Sequence, residues 1–242
     1  MDYQKLDYKK ILETMERLSK RITERFPARG LRKVAEELMT ITHQSQGHIA
    51  YVSKPIIYLR VLNGFVITAI VASLIGSIWA LNLELESLGL AEFVQVLEAG
   101  INDVVLIGAS IFFLVTLETR IKRNRVLKAL DKLRAIIHVI DMHQLTKDPD
   151  RVLKQTQNTP SSPKASMNVY ELSRYLDYCS ELLSLSSKVA ALYVQNFNDS
   201  VALASVNELE TLTTGLSRKI WQKLMIIHTI QDKINQTSQT NV

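Results

Sequence analysis

Residues 60–120 read RVLNGFVITAIVASLIGSIWALNLELESLGLAEFVQVLEAGINDVVLIGASIFFLVTLETR, and no Lys or Arg lies between the two terminal arginines. Within this stretch, residues 61–83 are uncharged throughout, which exceeds the roughly 20 residues that a helix needs to cross a bilayer core. A second apolar run, residues 100–117, is shorter and carries Asp103 near one end. The sequence therefore predicts a transmembrane helical hairpin with two unequal spans.

The charges around the two spans predict the orientation of the hairpin. The connector, residues 84–99, carries Glu but no cation and is predicted to form an amphipathic turn or short helix at the outer surface. Because basic residues beside a span are retained in the cytoplasm, we expect a multi-pass protein of the inner (plasma) membrane with both termini cytoplasmic. We also expect contacts with anionic lipids of the inner leaflet from five cations at the inner boundary: Arg60, Arg120, Lys122, Arg123 and Arg125.

A water-soluble alternative stays open, in which both apolar runs are core helices of a globular protein. The order of basic, acidic and basic segments favours the membrane. The first fifty residues contain no apolar segment that resembles a cleaved signal peptide. We therefore expect the first span to act as an uncleaved insertion signal.

The rest of the chain is predicted to be helical, because apolar residues recur at helical spacing and only eight Gly and five Pro interrupt it. The fold class is an all-α membrane protein: a two-helix transmembrane hairpin, a cytoplasmic helical bundle and a long second transmembrane helix that extends into the cytoplasm. The predicted parts are cytoplasmic amphipathic helices at 1–54, the hairpin at 55–120, and a cytoplasmic helical region at 121–242 with a loop at 144–167 and antiparallel helices at 168–197 and 200–235.

Several residues predict where helices begin. Ser53-Lys54-Pro55 is typical of a helix start, with Pro55 in the first turn. Asn168 and Glu171 predict a capping box. In the second span, one explanation of the polar pair Asn102 and Asp103 is that Asn102 caps the helix and Asp103 interacts with the helix dipole.

The segment after the second span is predicted to continue as one helix, because no Gly or Pro occurs between residues 118 and 148. Its apolar residues alternate spacings of four and three, which is typical of a coiled-coil seam. The seam residues are Val126, Leu130, Leu133, Ile137 and Ile140.

The first span carries small residues every four positions, at Ala72, Gly76 and Ala80. Small side chains on one helix face allow another helix to approach closely. The second hairpin helix is the first candidate partner, and a neighbouring subunit of a homo-oligomer is the second.

Polar residues in or beside the spans form a candidate ion pathway: Asn63, Asp103 and Glu118. In an oligomer, Asp103 would form a ring of carboxylates at the outer mouth and Glu118 a second ring near the inner mouth. Rings of acidic side chains attract cations.

A second candidate site combines His43 with His138 and Asp141, which could hold a divalent metal or sense pH. His138 and Asp141 share a helix face at i and i+3. Structural packing is the competing explanation, since the pairs His43/His48 and His138/His143 are five residues apart, about 140° around a helix, and cannot chelate from one face.

No phosphate-binding loop, nucleophile elbow, zinc-protease helix or paired-Cys motif occurs, so we expect neither enzymatic activity nor a cofactor. The net charge of +5 is concentrated at the membrane boundary without a nucleic-acid-binding module, so nucleic acid is not an expected partner. The predicted function is an oligomeric inner-membrane protein that forms a cytoplasmically gated pore or cation permeability element. The alternative is a membrane-anchored scaffold or signal relay whose cytoplasmic helical bundle binds a protein partner.

Overall fold

The computed structural model describes residues 5–80, 89–149, 160–161 and 167–240. All regular elements among these residues are α-helices, which confirms the all-helical class. They are α1 (Tyr8–Arg25), α2 (Gly30–Ser53), α3 (Ile57–Ala80), α4 (Leu90–Leu145), α5 (Val169–Val194) and α6 (Ser200–Thr240). The helices belong to two units: the globular unit, residues 1–53 with 125–242, and the hairpin unit, residues 54–124.

The globular unit is organised around α5, which packs against α1, α2 and α6. Leu176, Cys179 and Leu183 of α5 are fully buried, and α5 buries residues around most of its circumference, as expected of a helix inside a core. Helix α1 instead buries one face, as its amphipathic pattern predicts. The buried apolar residues of α1 are Ile11, Met15, Leu18 and Ile22.

The apolar seam on α4 lies in the core of the globular unit. Its five residues, Val126, Leu130, Leu133, Ile137 and Ile140, are each at most 1% exposed. The spacing correctly indicated a buried helix face. The seam packs into the chain's own core, so the spacing carries no evidence for a coiled coil between chains.

The capping box at the start of α5 is confirmed. The side chain of Asn168 accepts a hydrogen bond from the Glu171 N–H at 2.8 Å, and the Glu171 carboxylate accepts one from the Asn168 N–H at 3.0 Å. The predicted helix start at Pro55 is wrong, because α2 continues to Ser53 and α3 begins at Ile57. Proline disfavours helical geometry at the residue before it, so Pro55 separates the two helices.

Helix α4 begins at Leu90, inside the predicted connector, and continues to Leu145. The predicted continuity after the second span is therefore confirmed. Asn102 and Asp103 lie about three turns inside α4, so the explanation of this pair as a cap is wrong. Extending an existing helix costs less than nucleating a new one, which is why the helix includes residues that resemble a start signal.

Other predictions fall partly outside the described residues. Residues 84–88 of the connector lie outside them, as does most of the predicted loop at 144–167. Helix α6 reaches Thr240, five residues beyond the end predicted at 235.

The hairpin unit exposes apolar side chains. Two ranges, Gly30–Ser73 and Phe93–Leu145, each contain an apolar helical segment of 18 residues, which is long enough to cross a membrane. Only 11% and 0% of the residues in these two segments are buried within the chain. Phe65 and Trp79 are 72% and 83% exposed. Core helices of a soluble protein would bury such side chains, so the water-soluble alternative is not favoured by this structure.

In the globular unit, the approach of α2 to the end of α4 requires a glycine. A Cβ atom at Gly30 would lie 2.5 Å from Cε1 of His143. Nδ1 of that ring lies 3.2 Å from the hydroxyl of Tyr175, and burial, followed by the charge of Lys147, lowers the pKa of His143. The ring is thus held in place and has little freedom to move away.

We expect Gly30→Ala to lower the free energy of unfolding by about 1–3 kcal/mol, because the added methyl group must displace the His143 ring. Gly47→Ala in the same helix is the matched control. A Cβ atom at Gly47 meets no described atom within 4 Å, and alanine should stabilise the helix there by about 0.5–1 kcal/mol. Urea unfolding in detergent, followed by circular dichroism, measures both variants, and equal effects would contradict the close approach.

Candidate functional site

Glu118, the residue directly after the second apolar run, lies at the centre of a polar cluster that joins α3 to α4. Its side chain is only 13% exposed. Oε2 accepts a hydrogen bond from Nε of Arg60 at 2.7 Å, and Oε1 pairs with Nζ of Lys122 at 2.8 Å. The backbone N–H of Ile56 also donates to Oε1, at 3.2 Å. We call these four residues the Glu118 cluster.

The Glu118 cluster stabilises the ionised carboxylate. The hydrogen bond from Arg60 is the largest cause that lowers the pKa of Glu118 to about 2, and Lys122 and the Ile56 N–H act in the same direction. Burial opposes them, because it penalises the charged form. Glu118 in turn raises the pKa of Arg60. The ion pair is therefore fully charged at neutral pH.

Asn63 provides a second polar contact between the two hairpin helices. Its Nδ2 donates a hydrogen bond to the backbone carbonyl of Leu114 at 2.7 Å. Asn63 and Leu114 lie about one turn from Arg60 and Glu118 on their respective helices, so both contacts define one antiparallel register. Such interhelical hydrogen bonds contribute about 0.6–2 kcal/mol in apolar surroundings.

The three residues of the predicted ion pathway therefore differ in their surroundings. Asn63 and Glu118 are engaged between α3 and α4. Asp103 is exposed, and no described residue pairs or hydrogen-bonds with its carboxylate. The structure leaves Asp103 alone available to a neighbouring molecule or to water.

The small-residue positions of α3 are open where the structure describes them. Ala72 and Gly76 are exposed, and a Cβ atom at Gly76 would meet no described atom within 4 Å. Packing of the second hairpin helix against this face therefore stays a prediction. Ala80 ends α3, and its side chain lies outside the described residues. A neighbouring subunit stays a prediction.

Two of the cations predicted to contact lipid are engaged by Glu118. Lys122 is only 8% exposed, which corrects its prediction as a lipid contact, because a side chain enclosed by the protein cannot reach a headgroup. The Arg60 side chain is 63% exposed and can contact solvent or lipid while paired with Glu118. Arg123 is half-buried.

Arg120 and Arg125 are exposed and stack on aromatic rings. The guanidinium of Arg120 lies 5.3 Å from the ring centroid of Phe113, in the hairpin unit. In the globular unit, the guanidinium of Arg125 lies 3.9 Å from the ring centroid of Tyr51. Stacking over an aromatic face leaves the N–H groups of an arginine free to bind an anion.

The predicted metal or pH-sensing residues are not brought together. His43 and His138 are exposed, and Asp141 accepts a hydrogen bond from Nε2 of Gln144 at 2.6 Å. Gln144 in turn accepts hydrogen bonds from Nζ of Lys223, at 2.7 Å to its backbone oxygen and 2.8 Å to Oε1. Within the part of the chain that the structure describes, no group of three or more His, Cys, Asp or Glu could hold a metal.

The globular unit contains a cleft that the sequence interpretation missed. Three cations of α4 line it at i, i+3 and i+7: Arg125, Lys128 and Lys132. That spacing places them on one helix face and could have indicated the cleft. The facing residues on α2 and α5 could not be paired with them from the sequence.

No known protein family, curated protein or solved structure matches this chain. The class that the fold defines is an all-helical protein with two helices long and apolar enough to cross a membrane. What the protein does must be inferred from its own residues.

We expect acid to weaken the contact between α3 and α4 through Glu118. Since its pKa is lower in the folded chain than in the unfolded chain, Glu118 stabilises the fold above its ordinary pKa of 4.5, and this stabilisation is lost as pH falls through about 2. The difference between the two pKa values corresponds to at most roughly 3 kcal/mol, and screening by water reduces the expected contribution to about 1–2 kcal/mol.

Urea unfolding of the chain in detergent, followed by circular dichroism at pH values between neutral and 2, measures the free energy of unfolding at each pH. Glu118→Gln should lower stability at neutral pH and flatten the acidic part of the profile. Glu98→Gln is the control, because Glu98 is an exposed acid of the same helix and unit with no described partner. An unchanged pH profile in Glu118→Gln would contradict this role.

Proposed function

We propose that this chain is an oligomeric inner-membrane protein whose hairpins assemble into a cation permeability element, which the cytoplasmic globular unit gates. The observation that carries the proposal is the exposed carboxylate of Asp103 on an apolar helix. An ionised side chain facing lipid is costly, so carboxylates in spans generally face a partner or a water-filled cavity. Since no described residue pairs with Asp103, an aqueous axis shared between chains would satisfy it.

The open small residues of α3 support oligomerisation. No described atom lies within 4 Å of a Cβ atom built at Gly76, which leaves room for the close approach of a helix from another chain. Asn63 and the Glu118 cluster already join α3 to α4 within one chain. The oligomer would therefore be built from hairpins with a defined register.

The charge pattern supports the proposed orientation in the membrane. Cations flank the hairpin on the side of the two termini, and the segment between the spans carries only acidic charges. This distribution favours cytoplasmic termini and contact of exposed cations, such as Arg120, with anionic lipids.

We expect cysteine labelling of intact cells to distinguish the two sides. A membrane-impermeant maleimide should label Gln95→Cys directly, whereas Lys54→Cys should react only after permeabilisation, since both positions are exposed but lie on opposite sides of a span. The native Cys179 should not react with the maleimide, because it is fully buried and because burial is the main cause that raises the pKa of its thiol to about 12. The reverse labelling pattern would contradict the orientation.

We expect Asp103→Asn to lower cation flux by about tenfold, because a ring of fixed charges concentrates counter-ions near a pore mouth. The measurement is potassium efflux from liposomes that contain the purified full chain. Asp131→Asn is the matched control: it removes an exposed carboxylate from the same helix, outside the predicted spans. Equal flux from Asp103→Asn and the wild type would contradict the role of Asp103.

A membrane-anchored scaffold is the second candidate function. Helix α6 exposes Trp221, Met225 and Ile226 by 62%, 47% and 44%, and exposed aromatic residues are often the anchors of protein interfaces. Under this alternative the hairpin is only an anchor, and the globular unit binds a protein. A folded oligomer that conducts no cations would favour the scaffold over the pore.

A further inference from the structure

A cleft of about 270 Å³ opens in the globular unit, with walls from α2, α4 and α5. Its polar lining residues are Arg125, Lys128, Lys132, Gln44, His48 and Tyr193. Helix α4 supplies the three cations on one face, α2 supplies the amide and the imidazole one turn apart, and α5 supplies the phenol. All six side chains can donate a hydrogen bond.

The charged residues among the described lining of the cleft are all cations. No described lining residue is acidic, and no described carboxylate forms an ion pair with Arg125, Lys128 or Lys132. Arg125 is oriented by its stacking on Tyr51. The three cations are exposed, so water screens their mutual repulsion, but together they give the mouth of the cleft a positive potential that favours an anion.

Tyr193 adds a hydroxyl group to the wall of the cleft. The residue as a whole is only 2% exposed, and its hydroxyl makes no hydrogen bond with the part of the chain that the structure describes. Among the described residues, the Tyr8 hydroxyl is the buried one without a partner, so the Tyr193 hydroxyl remains open to solvent and can donate to a molecule in the cleft. Burial, followed by the neighbouring Tyr8, raises the pKa of Tyr193 to about 12, so the hydroxyl stays neutral and can donate to an anion.

We propose that this cleft binds the phosphate of a phosphomonoester. Such a group carries a charge of about −1.5 to −2 at neutral pH and presents three strong acceptor oxygens, which matches three cations and the further hydrogen-bond donors beside them. The volume is just below the range of about 300–1,000 Å³ typical of pockets for larger ligands, so it admits a phosphate on a small organic group. A soluble metabolite and a lipid headgroup both present this chemistry. The site does not depend on whether the hairpins conduct ions.

The test uses the full chain in a neutral detergent and native mass spectrometry, which counts bound molecules on each chain. The two probes are glycerol 3-phosphate and a short-chain phosphatidic acid, and short-chain phosphatidylglycerol serves as the phosphodiester control. Lys128→Gln/Lys132→Gln should weaken binding at least about tenfold, because each lost charge-assisted hydrogen bond is a strong one. Both lysines are exposed, so this variant should still fold.

The matched control is Lys33→Gln/Lys219→Gln, which removes the same charge from exposed positions outside the cleft. It should bind as the wild type does. Tyr193→Phe, which removes only the hydroxyl, should weaken binding about threefold or more. Binding of glycerol 3-phosphate supports a soluble ligand, and binding of phosphatidic acid alone supports a lipid headgroup. Binding of neither probe, equal losses in the two double variants, or no effect of Tyr193→Phe would overturn the site.

Discussion

Most of the described apolar side chains of the hairpin unit are exposed, and the rest of the structure depends on how they are covered. The globular unit encloses its apolar residues around α5, whereas the hairpin unit leaves side chains such as Phe65 and Trp79 almost fully exposed. Transfer of one such side chain out of water is worth about 1.5–3 kcal/mol. In the proposed function, lipid or the hairpins of other chains would supply the environment that these helices lack.

The polar residues of the hairpin unit differ in whether they have partners within the chain. Asn63 and Glu118 have partners within the chain, and they join α3 to α4 at two levels about one turn apart. Asp103 has no partner among the described residues. The first two residues therefore account for the pairing of the hairpin helices, and only Asp103 calls for something outside the chain.

Much of the helical architecture could be predicted from local patterns. The capping box of Asn168 and Glu171, the amphipathic face of α1 and the continuity of α4 depend on residues that are close in sequence. The predictions of helix ends were wrong where one helix can continue through a possible start signal, or where the ends depend on contacts between distant residues. Helix α4 extends through Asn102 because propagation costs less than a new start, and Pro55 separates two helices because of its effect on the preceding residue.

The candidate sites were harder to predict, because a charge pattern does not reveal which partner each charge will find. Lys122 belongs to the same basic cluster as Arg120, yet only Lys122 is enclosed and paired with Glu118. The cleft requires residues of α2 and α5 to face the cations of α4, and these contacts join segments far apart in the chain. A single sequence carries no signal for such contacts, although the spacing of the three α4 cations marks one side of the cleft.

In the proposed assembly, hairpins from several chains surround an aqueous axis that Asp103 lines. Electron cryomicroscopy of the full chain in lipid nanodiscs would resolve both the number of chains and the position of Asp103. The expected structure is a symmetric ring with the Asp103 carboxylates facing a water-filled centre and with Ala72 and Gly76 packed against a neighbouring chain. A monomer, or a ring filled with lipid in which Asp103 faces away from the axis, would contradict it.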